Sequence, residues 1–226
     1  MSLQSILAIA ESVSINDHKF AGQMLSRNMR ISTSEILTVQ PFQFSIKPMN
    51  YLLYSQNRGV LSALRTADRI TEQYINFGTT GWLNYIAYQG DMTALQINAC
   101  TIETGTTGKT IVLGSLPSIS SSAYVVKVGD FIQIDRYAYI ATASVQRGGS
   151  ATVNIPVHRT VMTTVSSPIG AVIGQYGTTV SLGGSTYTGI TFPVVLRDYP
   201  TYTLVPMTND SFIAWDGAFG AYEVVL

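Results

Sequence analysis

The sequence predicts a mainly β protein, an antiparallel sandwich or barrel with one main α-helix. From Trp82 onward, short β-branched and aromatic runs alternate with Gly, Ser, Thr and Pro clusters, the rhythm of strands joined by tight turns. Only one segment of the chain carries apolar residues at helical spacing. Charged residues make up 12% of the 226 residues, about half the usual share of ~25%. Uncharged Thr, Ser, Asn, Gln and Gly must therefore cover much of the surface, which suits contact better than repulsion.

Residues 1–34 are polar and mixed, and Ser26 to Glu35 shows little hydrophobic periodicity beyond Met29 and Ile31, so this part is expected to be an arm or loop. Residues 14–34 are the candidate for an arm that orders on assembly. The apolar run from Leu7 to Ala10 has no Lys or Arg before it, so no secretory signal is expected. No stretch reaches the ~18 apolar residues that a membrane helix requires.

Residues 35–80 are expected to form a strand-plus-helix layer. Ile36, Thr38, Val39, Phe42, Phe44 and Ile46 approach the period of two, and Pro41 and Pro48 confine that strand to an edge, a bulge or a strand end. In the next segment Val60, Leu61, Leu64, Ala67, Ile70 and Tyr74 form an apolar stripe, with Asn57 as cap and Gly78 as stop. Arg58, Arg65 and Arg69 alternate with Asp68 and Glu72, the pattern of a solvated helix face.

Residues 81–226 are expected to form the β-barrel or sandwich region, packed with 35–80 as one compact unit. Phe131, Gln133 and Asp135 should share one sheet face and Ile132 and Ile134 the other. Arg136 should turn the chain into Tyr137–Ala143. Arg147-Gly148-Gly149-Ser150 should turn it again into Ala151–Val157, giving a three-stranded meander. Gly183-Gly184-Ser185 should close a hairpin, and the apolar end Val224-Val225-Leu226 should lie in a paired strand. No internal repeat is present.

Catalytic chemistry has little to draw on, because the only histidines are His18 and His158. Arg159 beside His158 favours the neutral imidazole, which points to a structural hydrogen bond. No His, Cys or carboxylate stands at metal-ligand spacing from either histidine, so no metal is expected. Cys100 is the single cysteine and reads as a small buried hydrophobe. Asp130 and Asp135, five residues apart on a strand, would be separated by about 16 Å, which rules them out as a catalytic pair. Asp130 reads as turn chemistry after Gly129.

The stretch Thr104 to Thr110 ends in Gly-Lys-Thr, yet Glu103 stands where a Walker loop needs its first glycine, and a strand rather than a helix follows. It reads as a polar turn. No catalytic, cofactor-binding or metal residue is assigned, and no cofactor is expected. A formal net charge of zero offers no basic patch for nucleic acid and no field toward an anionic membrane. Low net charge instead favours association, and a homo-oligomer is expected.

The unit GDFIQIDRYAYIATASVQRGGSATVNIPVHR, Gly129 to Arg159, resembles a recurrent element of bacteriophage tail proteins. Its marks are a Gly-Asp-apolar strand start, an aromatic hairpin, a Gly-containing turn and a strand closing in Pro-x-His-Arg. The stretch from Ser26 to Arg69 is similar to such proteins as well, where an Arg-rich segment and a strand lead into a helix. The resemblance implies a tail-tip, hub or baseplate structural subunit of a T4-like or marine myophage tail. Such a subunit is made in the host cytoplasm, resides in the virion, and assembles into a ring with itself and other tail or baseplate proteins, without a cofactor or active site. The tyrosine-rich segments, TTGWLNYIAYQGD and RDYPTYTLVPM, suggest an alternative: a carbohydrate- or receptor-binding β module of a virion. A β-rich hydrolase is a third reading, and it would need His158 with a Ser and an Asp.

Overall fold

A computed structural model describes residues 3–17, 21–25, 31–35, 41–66, 69–79 and 83–225. Strands account for 42% of the chain and helices for 14%, with antiparallel sheets, one of them curled into a half-barrel, so the fold is mainly β as the turn rhythm predicts. Contacts divide the chain into two compact units rather than one: Met1–Gln73 with Val194–Leu226, and Tyr74–Pro193. Sequence distance hides this division, because the first unit is built from both ends of the chain.

In the first unit Ala10–Asn16, Gln43–Pro48 and Phe219–Glu223 lie side by side in that order, and Val194 to Leu196 pair with Glu223 to Ala221 on the far side. Gln43–Pro48 follows the expected alternation: Phe44 and Ile46 point into the core while Ser45 faces out. Glu223, deeply buried at the end of its strand, accepts the Phe42 N–H at 2.9 Å and returns its own N–H to the Phe42 carbonyl at 2.8 Å. That paired exchange anchors the C-terminal strand, which closes at Glu223 instead of running through Val224 and Val225.

Residues 1–34 are not the plain arm or loop that their composition suggests. Leu3–Leu7 forms a short helix that buries Leu3, Ile6 and Leu7, and Ala10–Asn16 pairs with Gln43–Pro48. Ala21–Leu25 and Ile31–Glu35 pair from Ala21↔Glu35 to Leu25↔Ile31 as a two-stranded sheet of their own. The apolar residues of the opening segment are too few to show a period, so only packing reveals their role.

The main helix, Tyr54–Thr66, begins three residues before Asn57 and buries Leu61 and Leu64. Asn57 lies inside it, its amide donating to the Leu53 carbonyl at 3.0 Å, and the cap comes from elsewhere. The Asp210 carboxylate accepts the Ser55 N–H at 3.3 Å and the Ser55 hydroxyl at 2.6 Å, placing a negative charge at the positive end of the helix. The Ser55 hydroxyl first, and then the Ser211 N–H that donates to the same carboxylate at 2.7 Å, hold the Asp210 carboxyl below the usual carboxylate range. The helix ends before the whole predicted stripe is used: Ile70 is exposed, and Tyr74 belongs to Gln73–Asn76.

The second unit holds two four-stranded sheets. One runs Tyr137–Ile140, Phe131–Ile134, Val172–Ile173, Tyr176–Gly177; the other runs Val153–Pro156, Thr110–Gly114, Thr101–Ile102, Ile169–Gly170. The predicted hairpin between Phe131–Ile134 and Tyr137–Ile140 is present, with Asp135 in the left-handed region at φ 52°. The third strand of the predicted meander is not. Val153–Pro156 pairs with Thr110–Gly114, from Val153↔Leu113 to Pro156↔Thr110, and meets the end of the hairpin around an Ala141↔Val157 bridge, where the Thr142 N–H donates to the Pro156 carbonyl at 2.9 Å. Nor does Asp135 share a sheet face with Phe131 and Gln133, since the strand ends at Ile134 with all four of its residues buried. The Gln133 amide is satisfied there by the Thr191 backbone, N–H and carbonyl both at 2.8 Å.

A short helix that periodicity does not reveal, Ala94–Ala99, is marked by a capping box. The Thr93 hydroxyl accepts the Gln96 N–H at 3.4 Å, and the Gln96 side chain accepts the Thr93 N–H at 2.8 Å. Thr93→Ala is expected to lower unfolding stability by about 1 kcal/mol, measured by urea denaturation. An unchanged midpoint would mean that packing of Ile97 alone holds the helix.

Candidate assembly surface

The groups with catalytic potential are dispersed. His158 Nδ1 accepts the Ile140 N–H at 3.0 Å, so the ring is neutral with its proton on Nε2, and the lone pair a general base would use is occupied. Burial first, and then the Arg159 guanidinium beside it, push this imidazole down to about 3. Cys100 is buried, its thiol donating to the Gln96 carbonyl at 3.3 Å, and burial pushes it up to about 11. Both match the structural roles expected of them. His18 lies outside the described residues.

Asp130 and Asp135 sit at opposite ends of the Phe131–Ile134 strand. Asp130 is buried and accepts the Lys127 N–H at 2.7 Å and the Gln89 N–H at 2.8 Å, closing the turn ahead of the strand as Gly129-Asp130 suggests. Burial raises its pKa against the opposing pull of those two bonds. Asp135 is exposed in the hairpin turn. The Gly108-Lys109 turn is closed by two backbone bonds at 3.0 Å between Thr107 and Thr110, and a strand follows it. Among the described residues, no three His, Cys, Asp or Glu side chains converge on a metal-sized point, and no helix is long and apolar enough to cross a membrane.

What the first unit does expose is an apolar sheet edge. Tyr202–Met207 is the outer strand of a three-stranded sheet, paired on one side with Asp210–Trp215, which in turn pairs with Leu52–Leu53. The sequence explains the strand: TYTLVPM alternates β-branched, aromatic and apolar residues, and the Thr208-Asn209 turn, with Asn209 at φ 67°, folds it back. Leu204, Val205 and Met207 remain 43%, 44% and 42% exposed, whereas Ile213, opposite Leu204, is fully buried.

Register places Val205 opposite Phe212 on the outer face. Tyr51 packs edge-on against Phe212, ring centroids 6.3 Å apart at 85°. Tyr51 is 71% exposed and its backbone lies at φ 62°, a left-handed conformation unfavourable for a side chain of this size, held by its N–H bond to the Ile213 carbonyl at 2.9 Å. The surface therefore displays a strained tyrosine beside an open strand edge. No charged residue occurs between Tyr199 and Asn209. Of the tyrosine-rich segments, RDYPTYTLVPM thus supplies exposed apolar surface, while in the other Tyr88 is half-buried and donates to the Val125 carbonyl at 2.6 Å.

Edges of this kind are usually blunted by Lys, by inward-pointing charge or by a covering segment, because their unpaired backbone groups template association. Pro206 removes one donor from this edge and is its only guard of that type. A scan against protein-family models and a search of curated proteins return no match to this chain.

Proposed function

We propose that this chain is a non-enzymatic structural subunit of a bacteriophage tail, in the tail tip, hub or baseplate, assembling with copies of itself and with neighbouring tail proteins. The observation that carries the assembly reading is the uncharged, exposed Tyr202–Met207 edge with Tyr51 beside it. Strand addition would satisfy the open backbone groups and cover Leu204, Val205 and Met207 in one step. The Ala21–Leu25/Ile31–Glu35 ribbon supports the same reading, since an isolated two-stranded sheet is marginal in water and gains from a third strand. Zero formal net charge removes the long-range repulsion that would oppose assembly. The tail assignment itself rests on the resemblance of Gly129–Arg159 and Ser26–Arg69 to tail proteins.

The test is native mass by light scattering across a concentration series. The wild-type chain is expected to exceed its monomer mass of 24.5 kDa. Val205→Lys with Met207→Lys is expected to return it to that mass with an unchanged circular dichroism spectrum, because both side chains already face solvent and a buried unpaired ammonium opposes docking. A strict monomer at every concentration, or an assembly that the double substitution leaves intact, overturns the reading.

A further inference from the structure

We propose that the Tyr74–Pro193 unit carries a binding cleft for a neutral saccharide, between the loop that follows Arg159 and the Thr178–Ser181 segment. The inference is independent of the assembly reading, since the cleft and the Tyr202–Met207 edge belong to different units.

The cleft has a volume of about 410 Å³, within the range of ~300–1,000 Å³ typical of ligand sites. Thr163, Thr164, Ser166 and Ser167 line it from one segment. Thr178, Thr179 and Ser181 line it from another. None of these seven hydroxyls is used in a side-chain hydrogen bond within the described chain. Three aliphatic side chains line it as well, Val165, Val172 and Val180, all of them buried.

This lining chemistry selects a ligand class. Each Ser or Thr hydroxyl both donates and accepts, so it can pair with a sugar hydroxyl in either sense. A pyranose ring carries a C–H face that suits the valines and a rim of hydroxyls that suits the Ser and Thr side chains. A purely apolar ligand would strip water from seven hydroxyls and return no hydrogen bond. Phosphates, sulfates and acidic sugars are disfavoured because no Lys or Arg lines the cleft and its one charged group is the Asp135 carboxylate.

The local sequence builds the cleft for reasons of backbone geometry. Gly177, at φ 117°, lets the chain double back where a Cβ would meet the Ala171 carbonyl oxygen at 2.1 Å. That reversal brings Thr178, whose N–H bonds the Ala171 carbonyl at 3.0 Å, and Thr179 to the rim. Asp135 takes its place there through its left-handed turn.

The experiment is a glycan array probed with the full chain, bearing neutral hexose and N-acetylhexosamine oligosaccharides beside sialylated and sulfated ones, followed by titration calorimetry of the best neutral member. Expected is binding of neutral members, insensitive to salt, and a fall in affinity of about tenfold or more in Ser166→Trp at an unchanged melting temperature. If Ser166→Trp does not fold, Thr179→Tyr fills the cleft from the other segment and carries the same expectation. Absence of any neutral binding, binding confined to the acidic members, or affinity undiminished in a folded cleft-filling variant overturns the proposal.

Discussion

Phe192→Ala is expected to cost about 3–5 kcal/mol, the largest single-residue loss in the Tyr74–Pro193 unit, read as a drop in urea midpoint at constant slope. Phe192 is fully buried and presents its ring at close to right angles to Phe77 and Phe131, at 5.8 and 6.2 Å. Tyr85 closes the group, 5.7 Å from Phe77 and 5.1 Å from Phe131. Removing the shared member forfeits its burial and leaves a void walled by rigid rings, which cannot collapse as aliphatic side chains do. Phe192→Leu, which keeps most of the volume, is expected to lose about 1–2 kcal/mol. A loss below about 1 kcal/mol for the alanine variant would show that the neighbouring rings move in to fill the space. Pro193 makes this position still more constraining: it biases the preceding residue toward extended backbone, which the strand requires, and pairing with Phe219–Glu223 begins only at Val194.

The features legible in the sequence are those fixed by near neighbours. Arg136 and Gly183-Gly184-Ser185 announce hairpins because tight turns favour left-handed backbone, and Gly183 and Gly184 do lie at φ 55° and 77°, while Asp135, read as a strand residue, takes the left-handed turn position before Arg136. Gly108-Lys109 reads as a turn on the same grounds. The Thr93-x-x-Gln96 box was equally local and signals a helix that hydrophobic spacing alone passes over. What could not be read depends on partners far along the chain. The helix cap at Ser55 is Asp210, the partner of the buried Gln133 amide is Thr191, and Val153–Pro156 finds its sheet at Thr110–Gly114 rather than in the adjacent hairpin. Two strands of similar pattern are interchangeable to a sequence argument, and only packing decides between them.

The assembly surface shows the same limit. TYTLVPM reads as a strand from its composition, but whether it is central or an open edge is a tertiary property. Exposure of Leu204, Val205 and Met207 makes an ordinary β sequence an uncharged apolar edge, the feature on which the proposed assembly rests, and Tyr51 adds what composition could not show, a strained aromatic held beside it. The hydroxyl-lined cleft is no more visible along the chain, because its lining residues are drawn from segments separated by the Ile169–Gly170 and Val172–Ile173 strands.

Acid should weaken the fold through His158 in a way that one substitution removes. Its folded pKa of about 3 lies below the usual 6.5, so above pH 7 both folded and unfolded chains carry a neutral ring and the residue contributes no pH dependence. Below about pH 6 the unfolded chain takes up a proton that the folded chain refuses, and stability falls by about 1.4 kcal/mol per pH unit until the folded ring titrates. The cause is physical: charging Nδ1 would place a proton against the Ile140 N–H, with the ring buried and Arg159 adjacent. Asp130 acts with the opposite sign, since its raised pKa lets the folded chain accept a proton first, while Asp91 and Asp210, both lowered, lose their contribution as pH falls. All three are retained in His158→Asn, whose Oδ1 can still accept the Ile140 N–H, so the difference between the two proteins isolates the imidazole. Urea midpoints measured from pH 7 to 4.5 should diverge, with the variant gaining about 2 kcal/mol on the wild type by the acid end. Parallel curves would mean that acid opens the Ile140–His158 contact before the fold is lost, and that the neutral ring is not what this part of the sheet depends on.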